Sequence, residues 1–208
     1  AGSLFDCCSS LEQLNLSNWN LISIKDMRLM FSGCSKMKTL DLNGFNTSKV
    51  TDFSYVFNRC SSLETLNISS FDVSSGENFN YMFYGCKKLS SIDVSKFKTP
   101  NAKTLMGMFE ECGSITSLNL SGFDTTNVTT MGGMFYNCQL LESLDLSNFK
   151  TPNLTFMHRI FHNCKSLKTL DVSNFNTSKV TDMYALFMYC TSLKELNLSS
   201  FDISSVTS

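Results

Sequence analysis

The chain has 208 residues, 42% hydrophobic and 17% charged, with a formal net charge of -1 and nine cysteines. Without a basic or acidic run it lacks the concentrated positive field that nucleic acid or an anionic membrane needs, so neither is expected as a main partner. No stretch of about 18 apolar residues is present to span a bilayer.

Taken in order, the chain is one unit repeated. Cys8, Cys34, Cys60, Cys86, Cys112, Cys138, Cys164 and Cys190 recur every 26 residues, and eight such units make 208. A Phe lies three residues before each of them, from Phe5 to Phe187. A second aromatic column lies eleven after, from Trp19 through Phe45 to Phe201. A fixed period of this size means a solenoid, in which each unit buries its apolar face only against its neighbours. One domain over 1–208 is therefore expected. Neither end reads as a polar cap, so the chain is expected to be a segment of a longer surface protein.

Within a unit, Thr169-Leu170-Asp171-Val172-Ser173 alternates as a strand with Leu170 and Val172 inward. Phe175 closes the corner, and a turn at 176–178 follows. Pro100 and Pro152, each after a Thr, suit the first turn of a helix behind an N-cap. The run Val180, Met183, Leu186, Phe187, Cys190, at spacings of three and four, predicts a short helix of about ten residues. The expected fold is α/β: a leucine-rich-repeat solenoid of eight 26-residue coils with short helices outside. Helices pack about 8–10 Å apart and strands about 4.8 Å, so the parallel sheet should be concave and the helices convex. Gly76, in a column of Val, should loosen one helix entry.

Eight cysteines in one column flanked by apolar residues read as buried free thiols. Bridges between adjacent coils are the competing reading. Cys7, outside the column, is expected to be the reactive thiol. The column lacks the short Cys-x2-4-Cys spacing of zinc sites. His158 and His162 are spaced i, i+4, but Arg159 stands where a metalloprotease motif needs Glu, and no third ligand is evident. No metal or cofactor is expected, and no nucleotide-binding or nucleophile motif is present.

Two surfaces are candidates for binding. The middle outward line of the strands, Asn15, Asp41, Asn67, Asp93, Asn119, Asp145, Asp171 and Asn197, is flanked by hydroxyl lines, the third running from Ser17 to Ser199. It is either a hydrogen-bonding platform for a glycan or protein strand, or a solvated sheet face whose side chains bond their neighbours. On the other side the units differ: Arg28, Tyr55, Met106, Gly132, His158, Arg159, His162 and Met188 vary among five tyrosines. Tyr81, Tyr84, Tyr136, Tyr184 and Tyr189 form a contact stripe, or else cover the grooves between helices.

The unit Leu-Asp-Leu-Ser-x-Phe-Asp/Asn-Thr-Ser-x-Val-Thr-x-Met-x-x-Met-Phe-x-x-Cys, best copied over 118–138 and 170–190, resembles the BspA-like leucine-rich-repeat surface proteins, including the mycoplasma-type lipoprotein repeats. Departures are local, such as Met37 and Ile115 for the first Leu, Trp19 for the corner Phe, and Phe53, Phe79 and Leu105 for the Met. The resemblance implies a cell-surface or secreted, non-catalytic adhesion module whose partners are host extracellular-matrix or mucosal proteins, or surface glycans. The matching residues are scaffold, so it transfers no binding site. The alternatives are a carbohydrate-binding module of a larger secreted enzyme, or a structural spacer.

Overall fold

The computed structural model describes residues 2–16, 19 and 24–208. The chain winds so that each residue stacks on the one 26 further on. Strand β1 (Thr39–Asp41) pairs in parallel with β2 (Thr65–Asn67) in the register Thr39 to Thr65, Leu40 to Leu66 and Asp41 to Asn67. The same ladder recurs as a single bridge at Ser143 and Thr169. Leu40 and Leu42 are buried while Thr39, Asp41 and Asn43 are exposed, so the expected alternation holds there.

The opposite side departs from expectation. Among the described residues there is no helix. A second parallel ladder runs through Asp26, Asp52, Asn78, Thr104, Thr130, Phe156 and Asp182. The segment after it is a chain of tight turns. In one coil, the N–H groups of Phe53, Tyr55, Phe57 and Arg59 donate to the carbonyls of Asn78, Asn80, Met82 and Tyr84 in the next coil at 2.6–2.9 Å. Between them, Asn58 N–H returns to Tyr55 O at 3.2 Å and Cys60 N–H to Phe57 O at 3.1 Å. Every fourth residue is left-handed, as the third position of a type II turn requires. Leu29 and Gly33, Tyr55 and Arg59, Tyr81 and Gly85, and Arg159 and Asn163 are such pairs.

The spacing of three and four that predicts a helix also fits consecutive turns of this kind. In a helix the N–H groups would be used four residues back; here they tie one coil to the next. Side-chain oxygens at the ladder tip the balance: Asp52 accepts from Ser54 N–H at 2.9 Å, and Asp182 from Tyr184 N–H at 2.9 Å. Such local bonds offer the backbone an alternative to helix. Twelve non-glycine residues among those described have φ of 55–63°, a conformation costing roughly 1–2 kcal/mol each for an L-residue. The inter-coil bonds offset that strain. With backbone hydrogen bonds on both sides, the difference in packing distance that was to curve the sheet inward is absent.

The expected caps take another role. Ala102 N–H bonds to Thr99 O at 3.1 Å and Leu154 N–H to Thr151 O at 3.2 Å, so Pro100 and Pro152 sit second in β-turns, where φ near -65° is favoured. The buried hydroxyls of Thr47, Thr99, Thr125, Thr151 and Thr177 each donate to a carbonyl of the next coil at 2.8–3.1 Å. Each also accepts the N–H of that same residue at 2.7–2.9 Å. Val73 interrupts this column.

The core is a set of axial stacks. The rings of Phe31, Phe57, Phe83, Phe109, Phe135, Phe161 and Phe187 follow one another at 5.4–5.9 Å, within the favourable range for aromatic pairs. Gly76 does not loosen its coil. A Cβ there would lie 2.4 Å from the Phe79 ring, so that ring fills the space the missing side chain leaves.

All nine cysteines are free. The thiols from Cys34 to Cys190 each donate to a Phe carbonyl 29 residues earlier at 3.0–3.3 Å. Burial pushes Cys34 up to about 11, Cys86 and Cys138 up to about 12, and the others of the column upward as well. Cys8 is exposed alongside Cys7, so Cys7 is not alone in being accessible. The Cys7 thiol is hydrogen-bonded to Asp6, which raises its pKa and makes it less reactive than expected.

Candidate functional site

The strand-face line is brought together as expected, with all its members exposed except half-buried Asn67. Its chemistry is turned inward on the chain. Asp41, Asn67, Asp93, Asn119, Asp145, Asp171 and Asn197 each accept the backbone N–H two residues on, at 2.8–3.2 Å. These are Asx turns, which close the strand and lead into the corner. Asp93 accepts from the Ser95 hydroxyl as well as its N–H, and both hold its carboxyl below the usual range. Asp145 is lowered in the same way through Ser147, and Asp171 through the N–H and then the side chain of Ser173. These three carboxyls are shifted away from neutrality, opposite to what a general acid requires. Asn15 also has a bonded partner. Ser17, at the head of the third line, lies outside the described residues.

On the turn face, the five expected tyrosines fall into separate clusters. Tyr81 stacks on Tyr55 at 5.2 Å and meets Tyr84 edge-on at 5.8 Å, with Arg59 over the Tyr84 ring. Tyr136 stacks on His162 at 4.9 Å, and His162 meets Tyr189 edge-on at 5.4 Å. Tyr184 carries the Arg159 guanidinium 5.2 Å above its ring. Tyr184, Met188 and Tyr189 are 55%, 43% and 56% exposed, whereas Tyr81, Tyr84 and Tyr136 are half-buried. Among the described residues there are no helix grooves for them to cover. They lie over stacked turns, which differ from coil to coil because the backbone, not the side chain, makes the inter-coil bonds.

Without a helix, His158 and His162 do not share a helix face. His158 lies against Gly132, with Nδ1 3.5 Å from Asp182, while burial and then Arg159 lower the pKa of His162. Among the described residues no group of three His, Cys, Asp or Glu is placed to hold a metal.

The stacked parallel coils, inward Leu columns and axial Phe stacks define a leucine-rich-repeat solenoid of the BspA-like kind. The chain belongs to the family described as "Mycoplasma protein of unknown function, DUF285", which matches residues 2–118 and 103–208. Among solved structures it is similar to a leucine-rich-repeat protein of T. pallidum, at 18% identity and a TM-score of 0.51, over 79% of this chain and 69% of that one. It is also similar to a leucine-rich-repeat protein from Eubacterium ventriosum, at 19% identity and TM-score 0.44, over 73% of this chain and 43% of that one. A leucine-rich cell surface protein from Faecalibacterium prausnitzii matches at 17% identity and TM-score 0.36, over 93% and 67%. No curated protein matches. No described helix is long and apolar enough to cross a membrane.

Sequence reasoning overlooked Glu110, Gly107 and Gly133 on the turn face. The available signal was a break in a column. The Gly107 column otherwise holds Ser3, Leu29, Tyr55, Tyr81, Arg159 and Ala185, and the Glu110 column mixes Asp6, Ser32, Asn58, Tyr84, Tyr136, His162 and Met188.

Proposed function

We propose that this chain is a non-catalytic adhesion module, displayed at the cell surface or secreted as part of a longer array, and that it binds through its turn face. The observation that carries this reading is how the polar groups are spent. The regular line on the strand face gives its oxygens to its own backbone, whereas the turn face presents tyrosines, arginines and histidines that the scaffold does not need. Large, rigid aromatic side chains with polar tips suit protein contact at low entropy cost. Host extracellular-matrix and mucosal proteins are the partners this surface fits best. Surface glycans are the second reading, favoured by the hydroxyl lines of the strand face.

The test uses the immobilised chain against a panel of matrix proteins, mucins and surface polysaccharides. Tyr184→Ser with Tyr189→Ser is expected to weaken binding at least about tenfold, in keeping with the loss of two exposed aromatic contacts, at unchanged thermal midpoint. Asn119→Ala should leave binding intact. Loss of binding with Asn119→Ala but not with the tyrosine pair would overturn the turn-face reading.

A further inference from the structure

Glycine takes the left-handed column of the turn face in two successive coils, at Gly107 and Gly133. A Cβ on Gly107 would lie 2.4 Å from the Tyr81 ring and 2.9 Å from Glu110 Oε2. On Gly133 it would lie 3.1 Å from the same Oε2 and 3.7 Å from Tyr136 Cβ. The Glu110 carboxylate therefore rests across bare backbone of two coils, with the Tyr81 ring beside it, while the Tyr136 ring stacks on His162. Among the described residues it has no hydrogen-bond or ion-pair partner. Its neighbour Glu111, by contrast, is held by Lys87 at 3.3 Å and by the Tyr84 hydroxyl at 3.5 Å. A half-buried carboxylate with no direct donor is costly; Arg159 acts on it only from beyond ion-pair distance, and Asp6 is the other acid of this column.

We propose that Glu110 anchors a binding site for a lysine ammonium presented by a partner protein, seated against the carboxylate beside Tyr81. The inference rests on the turn face being the contact surface. A compact ammonium supplies the direct donors that Arg159, beyond ion-pair distance, does not, and the adjacent Tyr81 ring favours a cation over an apolar side chain. The charged and titratable groups facing Glu110 are Glu111, Arg159, Tyr81 and the Cys138 thiol. Burial first, then Glu111, pushes the Glu110 carboxyl up to about 7, with Arg159 opposing. The site therefore charges between pH 6 and 8, and occupancy by a cation rises across that window.

The test is an amide NMR titration of the 208-residue chain with acetyl-Gly-Lys-Gly-amide, and with the same peptide carrying norleucine. The lysine peptide should shift the Gly107 and Gly133 amides saturably, with affinity rising about tenfold from pH 6 to pH 8 as a group of pKa near 7 ionises. The norleucine peptide should not. Glu110→Gln should abolish the response at an unchanged spectrum elsewhere, Tyr81→Leu should weaken it several-fold, and Glu111→Gln should keep it. No saturable shift at pH 8, equal response to norleucine, or full binding by Glu110→Gln would overturn the proposal. If the lysine peptide binds while the adhesion panel stays blank, the site stands and the adhesion reading fails; the converse removes the site alone.

Discussion

On the turn face, the N–H groups of Phe57, Phe83 and Phe109 each reach a carbonyl of the following coil at 2.9 Å, and the pattern continues coil after coil. On the strand face, registered pairing among the described residues is confined to Thr39–Asp41 with Thr65–Asn67 and to Ser143 with Thr169. The face with the more regular surface sequence has the less developed ladder. There, side-chain oxygens of Asp and Asn close the turns, so residue identity must repeat. On the turn face the backbone makes the bonds, so exposed side chains are free to differ, and a binding surface can be written there without loosening the stack.

The largest effect that tests this contrast is alkaline unfolding. The thiol column hangs on the turn-face Phe carbonyls, and the raised pKa values keep these thiols protonated in the fold. An unfolded thiol ionises near 8.5. Above that pH the unfolded state loses protons that the folded state keeps, so stability falls until each folded pKa is passed. Each buried thiol contributes about 1.4 kcal/mol per pH unit. Denaturant midpoints should drop steeply from pH 9 to 11, and Cys138→Ala should make the slope shallower by one thiol's share. A flat profile would mean that the column is solvated.

Proline separates the faces directly. Glu111 donates its N–H to Tyr136 O at 2.8 Å and has φ of 58°. Glu111→Pro loses both and should cost at least about 3 kcal/mol by denaturant titration. Ser117 on the strand face makes no backbone N–H bond among the described residues, and Ser117→Pro should cost under about 1 kcal/mol. Equal costs would erase the contrast.

A pair of opposed effects lies at the corner between the faces. Thr125→Val leaves the N–H and carbonyl of Lys150 without their partner and should cost about 1–3 kcal/mol. Val73→Thr should gain about 1 kcal/mol by restoring the same pair to Lys98 in the next coil. Thermal melts of the two variants moving in opposite directions would sharpen the picture; a null result for both would show that the hydroxyl column is incidental.

Much of this was legible from the residues. The Cys and Phe columns announce stacking, and Leu40 and Leu42 announce the inward side of the strand. The Tyr and His residues that vary across coils mark a surface the scaffold does not dictate. The helix was misread because Met183, Leu186, Phe187 and Cys190 have the same spacing in a helix as in successive turns; periodicity reports which side chains point inward, not where the N–H groups go. Glu110 was missed because its meaning depends on Gly107 and Gly133, residues three before it and 23 after it in the chain.

The sequence by itself determined the period, the inward columns and hence the solenoid, because a repeat of 26 with fixed apolar positions can bury them only against its own neighbours. Only the tertiary structure decided how the turn face is held, which polar side chains are consumed by the backbone, and that Glu110 lies half-buried without a direct hydrogen bond or ion pair among the described residues. Those outcomes are set by hydrogen bonds between coils, where each group chooses among partners 25 to 29 residues away, and local pattern carries no record of that choice.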